Sequence, residues 1–176
     1  MSIVRPARVT DAAGIAAVHV AAWRSAYPGM LPDRTLTHLN PDQQELYYSR
    51  LIRTAHIVHV AVPDADDPPR PAVIGFVTAG PLAHPTIAEG EIETLYVLDD
   101  FREQGVGRAL MRAAAVDLAA QGCGSLFVWV LSQNPSRWFY ERMGGVRAME
   151  GQVRVGGENQ PQTAFVWDPI ERLLAV

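Results

Sequence analysis

Residues 91–122, EIETLYVLDDFREQGVGRALMRAAAVDLAAQG, decide the fold. They read as a strand, a glycine-containing turn and a helix. Ile92, Leu95, Tyr96, Val97 and Leu98 make a short apolar, partly β-branched run that stops at Asp99 and Asp100. Val106, Leu110, Ala114 and Leu118 recur every four residues, so they stack along one helix face. Gly122 supplies the stop, because glycine takes the left-handed conformation that a helix end often needs. Between strand and helix lies Arg102-Glu103-Gln104-Gly105-Val106-Gly107. Glycines let the backbone approach a ligand, and the first N–H groups of a helix have no partner within it. Aligned peptide dipoles add positive character there, so an anion such as a pyrophosphate is the natural guest. A glycine turn used for shape alone is the competing explanation.

Two other phosphate-binding loops fail on the residues. A nucleoside-triphosphate loop needs Gly-Lys-Ser/Thr after its glycines, and this chain has no lysine. A dinucleotide loop needs a small residue where Leu110 stands and an acidic residue after the next strand, which instead ends in Leu131-Ser132-Gln133. Arg-x-x-Gly-x-Gly after a strand and opening a helix resembles the acetyl-CoA-binding motif of the GCN5-related N-acetyltransferase (GNAT) superfamily. Residues 125–145, SLFVWVLSQNPSRWFYERMGG, resemble that family's next strand and helix through Asn134, Phe139-Tyr140 and Gly144. The similarity covers residues 72–167 well and the first half more loosely. It implies an α/β fold with a mixed sheet, in the order βααβββαβαββ, with a splayed central pair of strands.

Composition bounds the rest. At 176 residues the chain is long enough for one domain, residues 1–176, with a full core. A net charge of −4 lacks the basic footprint of a nucleic-acid binder. All fifteen basic residues are arginine, so only the N-terminus offers an amine to acetylate in cis. A single cysteine, Cys123, excludes an internal disulfide framework and fits a reducing cytosol. No apolar run approaches the ~20 residues that span a bilayer. MSIVRPARVTD has no signal-peptide hydrophobic region, so a cytoplasmic location and no membrane partner are expected.

Along the chain, residues 3–8 read as an edge strand, the place where Pro6 is tolerated. Thr10 or Asp11 caps a helix running to about Ala26, and a second helix spans about residues 41–53. Strands follow at 57–62 and 72–79, joined by a polar, proline-rich hairpin loop over residues 64–71. Residues 81–90 form an irregular link to the central strand. The last elements expected are a strand over 125–131, a helix over 135–143 and strands near 146–155 and 162–167. Gly156-Gly157-Glu158-Asn159 turns the final hairpin.

Moving an acetyl group from a thioester to an amine requires a held donor, a deprotonated amine, a stabilised oxyanion and a protonated leaving thiolate. By the resemblance, acetyl-CoA is the co-substrate, and the backbone of Gln104, Gly105, Val106, Gly107 and Arg108 holds its pyrophosphate, with Arg102 and Glu103 in the same loop. Leu95, Tyr96 and Val97 pair with the pantetheine arm as a further strand, and the N–H near Val97 is the oxyanion donor. Asn134 caps the following helix and is a second candidate contact to pantetheine. Tyr140 is the candidate acid for the thiolate, since a phenol's reference pKa of about 10 suits donation; a core aromatic with a satisfied hydroxyl is its alternative. Glu91 and Glu93, two apart and so on one face of a strand, are the candidate bases, with ordered water as the alternative. Trp23, Tyr27, Met30 and Leu31 fall on the family's acceptor wall, or are core packing. Histidines 19, 38, 56, 59 and 84 have no metal-ligand spacing, and no metal is expected. A catalytically silent acyl-CoA-binding module and a protein N-terminal acetyltransferase are the rivals to a small-molecule N-acetyltransferase. The resemblance adds homodimerisation as a common family property.

Overall fold

Both faces of the strand at Ile57–Pro63 are apolar, so layers must cover both sides of its sheet. In the computed structural model, which describes residues 2–64 and 71–176, they do. The elements are β1 (Ser2–Pro6), α1 (Ala12–Ala26), α2 (Asp33–Thr37), α3 (Pro41–Arg53), β2 (Ile57–Pro63), β3 (Gly75–Pro81) and β4 (Gly90–Val97). They continue with α4 (Val106–Ala120), β5 (Leu126–Leu131), α5 (Arg137–Arg142), β6 (Val146–Val155), β7 (Glu158–Trp167) and α6 (Glu171–Leu174). The strands form one mixed sheet in the order β1-β2-β3-β4-β5-β7-β6. Ile57, Ala61, Val77 and Ile92 face α4, α5 and α6, whereas Val58, Val60 and Phe76 face α1 and α3. Val106, Leu110, Ala114 and Leu118 are all buried in the first of these clusters, as their four-residue spacing requires.

The expected order βααβββαβαββ is present with two additions, α2 and α6. Both are too short to show a helical period in sequence. They are held by single buried leucines, Leu36 and Leu173. Several boundaries move. The first strand stops at Pro6 rather than residue 8, and the third begins at Gly75 rather than residue 72. The fifth strand opens at Leu126, one residue late. Asp11 precedes α1 but does not cap it with its side chain. Its carboxylate accepts from Arg5 Nη1 at 2.8 Å, Arg5 Nη2 at 2.9 Å and the Arg8 N–H at 2.7 Å. Those contacts, the Arg5 bond first, hold the Asp11 carboxyl below the usual range. The last hairpin turns on Gly156-Gly157 alone, with φ of +59° and +86°, so β7 begins at Glu158. The hairpin loop expected at residues 64–71 lies, apart from its two end residues, outside the described residues. Among the described residues, no helix is long and apolar enough to cross a membrane.

Candidate active site

The site begins where two strands part. β4 and β5 pair in parallel only through Gly90–Leu126, Glu91–Phe127 and Ile92–Val128. Beyond Ile92, β4 keeps β3 on one edge, and among the described residues no strand pairs with the other. The Leu98 N–H donates to Ile74 O at 2.9 Å, toward β3. Peptide groups alternate along a strand, so those of Leu95 and Val97 point the other way, into the gap. The splay expected between these strands is therefore present. It opens a cleft of about 1650 Å³.

One end of the cleft is the loop before α4. Gly105, at φ +82°, occupies the N-cap, and Glu103 is also left-handed at φ +60°. The first helical backbone bond runs from Ala109 N to Gly105 O, leaving the N–H groups of residues 106–108 without helical partners. A Cβ on Gly107 would lie 3.2 Å from Phe139 Cζ, so α5 packs directly on the bare helix start. Arg102, Glu103, Gln104, Gly105, Gly107 and Arg108 line the cleft. Val106 does not; its side chain enters the core and only its backbone is available. Arg102 is not a free cation, because Asp99 holds it at 2.9 Å.

α5 supplies the opposite lip. Asn134 Oδ1 accepts the Ser136 N–H at 2.9 Å, and Asn134 O accepts from Arg137 N. Asn134 thus caps a turn, and the regular helix starts at Arg137, two residues later than expected. At the other end Gly144 is left-handed at φ +81°, and Gly145 N bonds Tyr140 O at 3.0 Å. A Cβ on Gly145 would sit 2.7 Å from Trp167 Cζ2, so the chain can cross that indole only as glycine. Tyr140 stacks on Phe165, with ring centroids 6.0 Å apart, and lines the cleft. Burial, aided by the Tyr27 phenol, pushes the Tyr140 hydroxyl well above its ordinary value, so it is a neutral donor at any physiological pH.

The far wall is aromatic. Trp23, Tyr27 and Leu31 line the cleft; Met30 packs beside Tyr27 and Leu31 without reaching it. Trp23 Nε1 donates to the Tyr96 hydroxyl at 2.8 Å, and His19 stacks on Trp23 while its Nδ1 meets the Tyr48 hydroxyl at 2.6 Å. Burial raises the Tyr27 phenol, partly offset by hydrogen bonds from Tyr96 and Asn134. Trp129, Leu131, Val153, Val155 and Gln162 complete this wall and were not expected from sequence. Val128 and Val130 of the same strand line the cleft as well, so strand alternation does not single out Trp129 and Leu131. Arg34 Nη2 reaches Gly156 O at 3.1 Å, tying α2 to the hairpin tip.

The two carboxylates separate. A bulge between Thr78 and Ala79 leaves Glu93 out of register, so simple alternation does not hold from Glu91 to Glu93. Glu93 lines the cleft and its Oε2 lies 2.9 Å from His56 Nε2. Glu91 does not line it. Burial first, then the Glu93 charge, raises the Glu91 carboxyl above its ordinary value.

This geometry has relatives. A family model described as Acetyltransferase (GNAT) family matches residues 20–145. An uncharacterized N-acetyltransferase of Bacillus subtilis, YuaI, is 31% identical over 175 residues, covering 98% of this chain and 96% of that protein. A GCN5-related N-acetyltransferase from Rhodopseudomonas palustris superposes with a TM-score of 0.71 at 22% identity, over 96% of each chain. The structure of yncA from Salmonella typhimurium, solved with its cofactor acetyl-CoA, has a TM-score of 0.66 at 18% identity, over 95% of this chain and 93% of that one. The family match runs through the parted strands, the glycine loop and α5, and the chain belongs to the GNAT family of acetyl-CoA-dependent acetyltransferases.

Proposed function

We propose that this chain is a one-domain, cytoplasmic enzyme that moves an acetyl group from acetyl-CoA directly to a small primary amine bound beside it. The observation that carries the reading is the open edge of β4, whose Leu95 and Val97 peptide groups face a cleft ending at the free N–H groups of α4. An amide-rich arm ending in a pyrophosphate fits both features. Acetyl-CoA brings an activated thioester and a thiolate leaving group. The Val97 N–H stabilises negative charge developing on the carbonyl oxygen. Glu93 takes the proton from the acceptor ammonium, because it and not Glu91 lines the cleft. Tyr140 donates a hydrogen bond to the departing sulfur. Its raised pKa makes complete proton loss uphill, so the thiol's proton comes finally from the nitrogen that forms the amide.

The acceptor wall of Trp23, Tyr27, Leu31, Trp129, Leu131 and Val155 favours an amine on an apolar or aromatic body over a polycation. The Arg34–Gly156 bridge supports a bounded pocket rather than an open peptide groove. Calorimetry with acetyl-CoA, followed by thiol release with phenethylamine, spermidine and a peptide with a free N-terminus, tests this. Binding with turnover on phenethylamine is expected. Turnover on the peptide alone would move the reading to protein N-termini, and binding without turnover on any amine would move it to a silent acyl-CoA-binding module. No binding would remove it.

A further inference from the structure

Three local irregularities converge on one contact between the cleft and the protein's outer surface. α3 ends at Arg53 with Thr54 as its C-cap, and Ala55 follows in the left-handed conformation at φ +56°, which aims His56 back at the sheet. The bulge in the β3–β4 ladder sets Glu93 out of register. Gly80 leaves room between them: a Cβ there would lie 2.8 Å from His56 Cε1 and 3.6 Å from Glu93 Oε1. Together they seat the His56 imidazole on the Glu93 carboxylate at 2.9 Å, with the His56 side chain 25% exposed. Glu93 lines the cleft and His56 does not. Bulges and left-handed non-glycine residues are departures that cost energy, and they concentrate where function needs a side chain re-aimed.

We infer that His56 is a positioning and proton-relay residue that connects Glu93 to solvent. The inference rests on Glu93 being the base. Acetylating an ammonium releases one net proton to bulk water. Glu93 takes that proton at its carboxylate, it crosses the 2.9 Å contact to His56 Nε2, and the imidazolium loses a proton from Nδ1 to water. The carboxylate is restored, and the ring returns to its starting tautomer by exchange with water. Glu91 on β4 and the Tyr47 and Tyr48 phenols on α3 also feel the Glu93 charge, but none of them lines the cleft.

The test is kinetic, with phenethylamine and acetyl-CoA on the full chain. His56→Gln keeps a hydrogen bond to Glu93 but cannot relay, so kcat should fall about tenfold with the KM for acetyl-CoA unchanged. Added imidazole should restore much of the rate to His56→Ala and none to Glu93→Gln, a response that a packing role does not give. Wild-type rates in His56→Gln would overturn the relay and leave Glu93 as base. Wild-type rates in Glu93→Gln would overturn the base assignment and the relay with it. The nitrogen NMR resonance of His56 Nε2 gives a readout free of any acceptor: it should shift in Glu93→Gln, and an unmoved resonance would overturn the contact itself.

Discussion

Gly90, Glu91 and Ile92 are zipped to Leu126, Phe127 and Val128, whereas residues 93–97 of the same strand lie with one edge bare. The zipped half is tightly packed: Ile92 and Leu126 are fully buried, and a Cβ on Gly90 would lie 2.9 Å from Leu118 Cδ2. The bare half meets the cleft through every residue from Glu93 to Val97. One strand thus carries two kinds of constraint. Where peptide groups find partners in the sheet, side chains are chosen by volume. Where they do not, the groups stay available for a ligand, and stability must come from the aromatic packing of Tyr96 against His19 and Phe76.

The largest effect expected falls on the zipped half. Ile92→Ala empties a site that is 0% exposed and should destabilise the protein by about 2–5 kcal/mol in chemical denaturation. The kcat per folded molecule should stay near wild type; a matching loss of kcat would erase the distinction between the halves. Next comes acid sensitivity of the packing behind the bare half. Burial lowers the His19 pKa from 6.5 to about 4. The folded state therefore binds fewer protons than the unfolded chain between those values. Stability is full above pH 6.5 and falls as pH drops toward 4, by about 3 kcal/mol in total. Denaturation midpoints of wild type and His19→Gln across this window give the difference. Asp11, whose carboxyl is lowered, acts at lower pH, and Glu91, whose carboxyl is raised, acts with opposite sign. A difference that is flat with pH would mean that His19 titrates alike in the folded and unfolded chains. Third, Tyr140→Phe should cost about 100-fold in kcat, roughly 2.7 kcal/mol. Its unfolding free energy should change by less than about 1 kcal/mol, because the ring stacking on Phe165 survives.

Legibility in the sequence follows the same division. The four-residue period from Val106 to Leu118, the left-handed stop at Gly122 and, through the family resemblance, the parting of β4 from β5 were readable, because each is a local or motif-level property. The bulge opposite Thr78 was not, since it depends on how β3 meets β4, and with it went the difference between Glu91 and Glu93. Trp129, Val153 and Val155 join the cleft through strands joined across the sheet, which no single segment encodes. Met30 and Leu31 are adjacent and both apolar, so nothing local could say which one reaches the cavity. Arg102 reads as a free cation until Asp99 is placed beside it. Charge and apolarity were legible, but partners were not.

The smallest effect concerns the residue that aims His56 at the bare half. Ala55 closes α3 with a bond from its N–H to Ile52 O at 3.3 Å, while His56 N reaches Leu51 O at 3.4 Å. This is the helix ending in which glycine usually stands, because a Cβ in the left-handed region is crowded by its own backbone. Ala55→Gly relieves that crowding but gives the unfolded chain more freedom to lose. The net expectation is a gain of about 0.5–1 kcal/mol in denaturation, with the His56–Glu93 contact intact because φ need not change. A loss of stability would mean that the alanine is held left-handed without strain. A gain accompanied by slower turnover would mean that stiffness at residue 55, and not only the direction of its backbone, keeps the imidazole on Glu93.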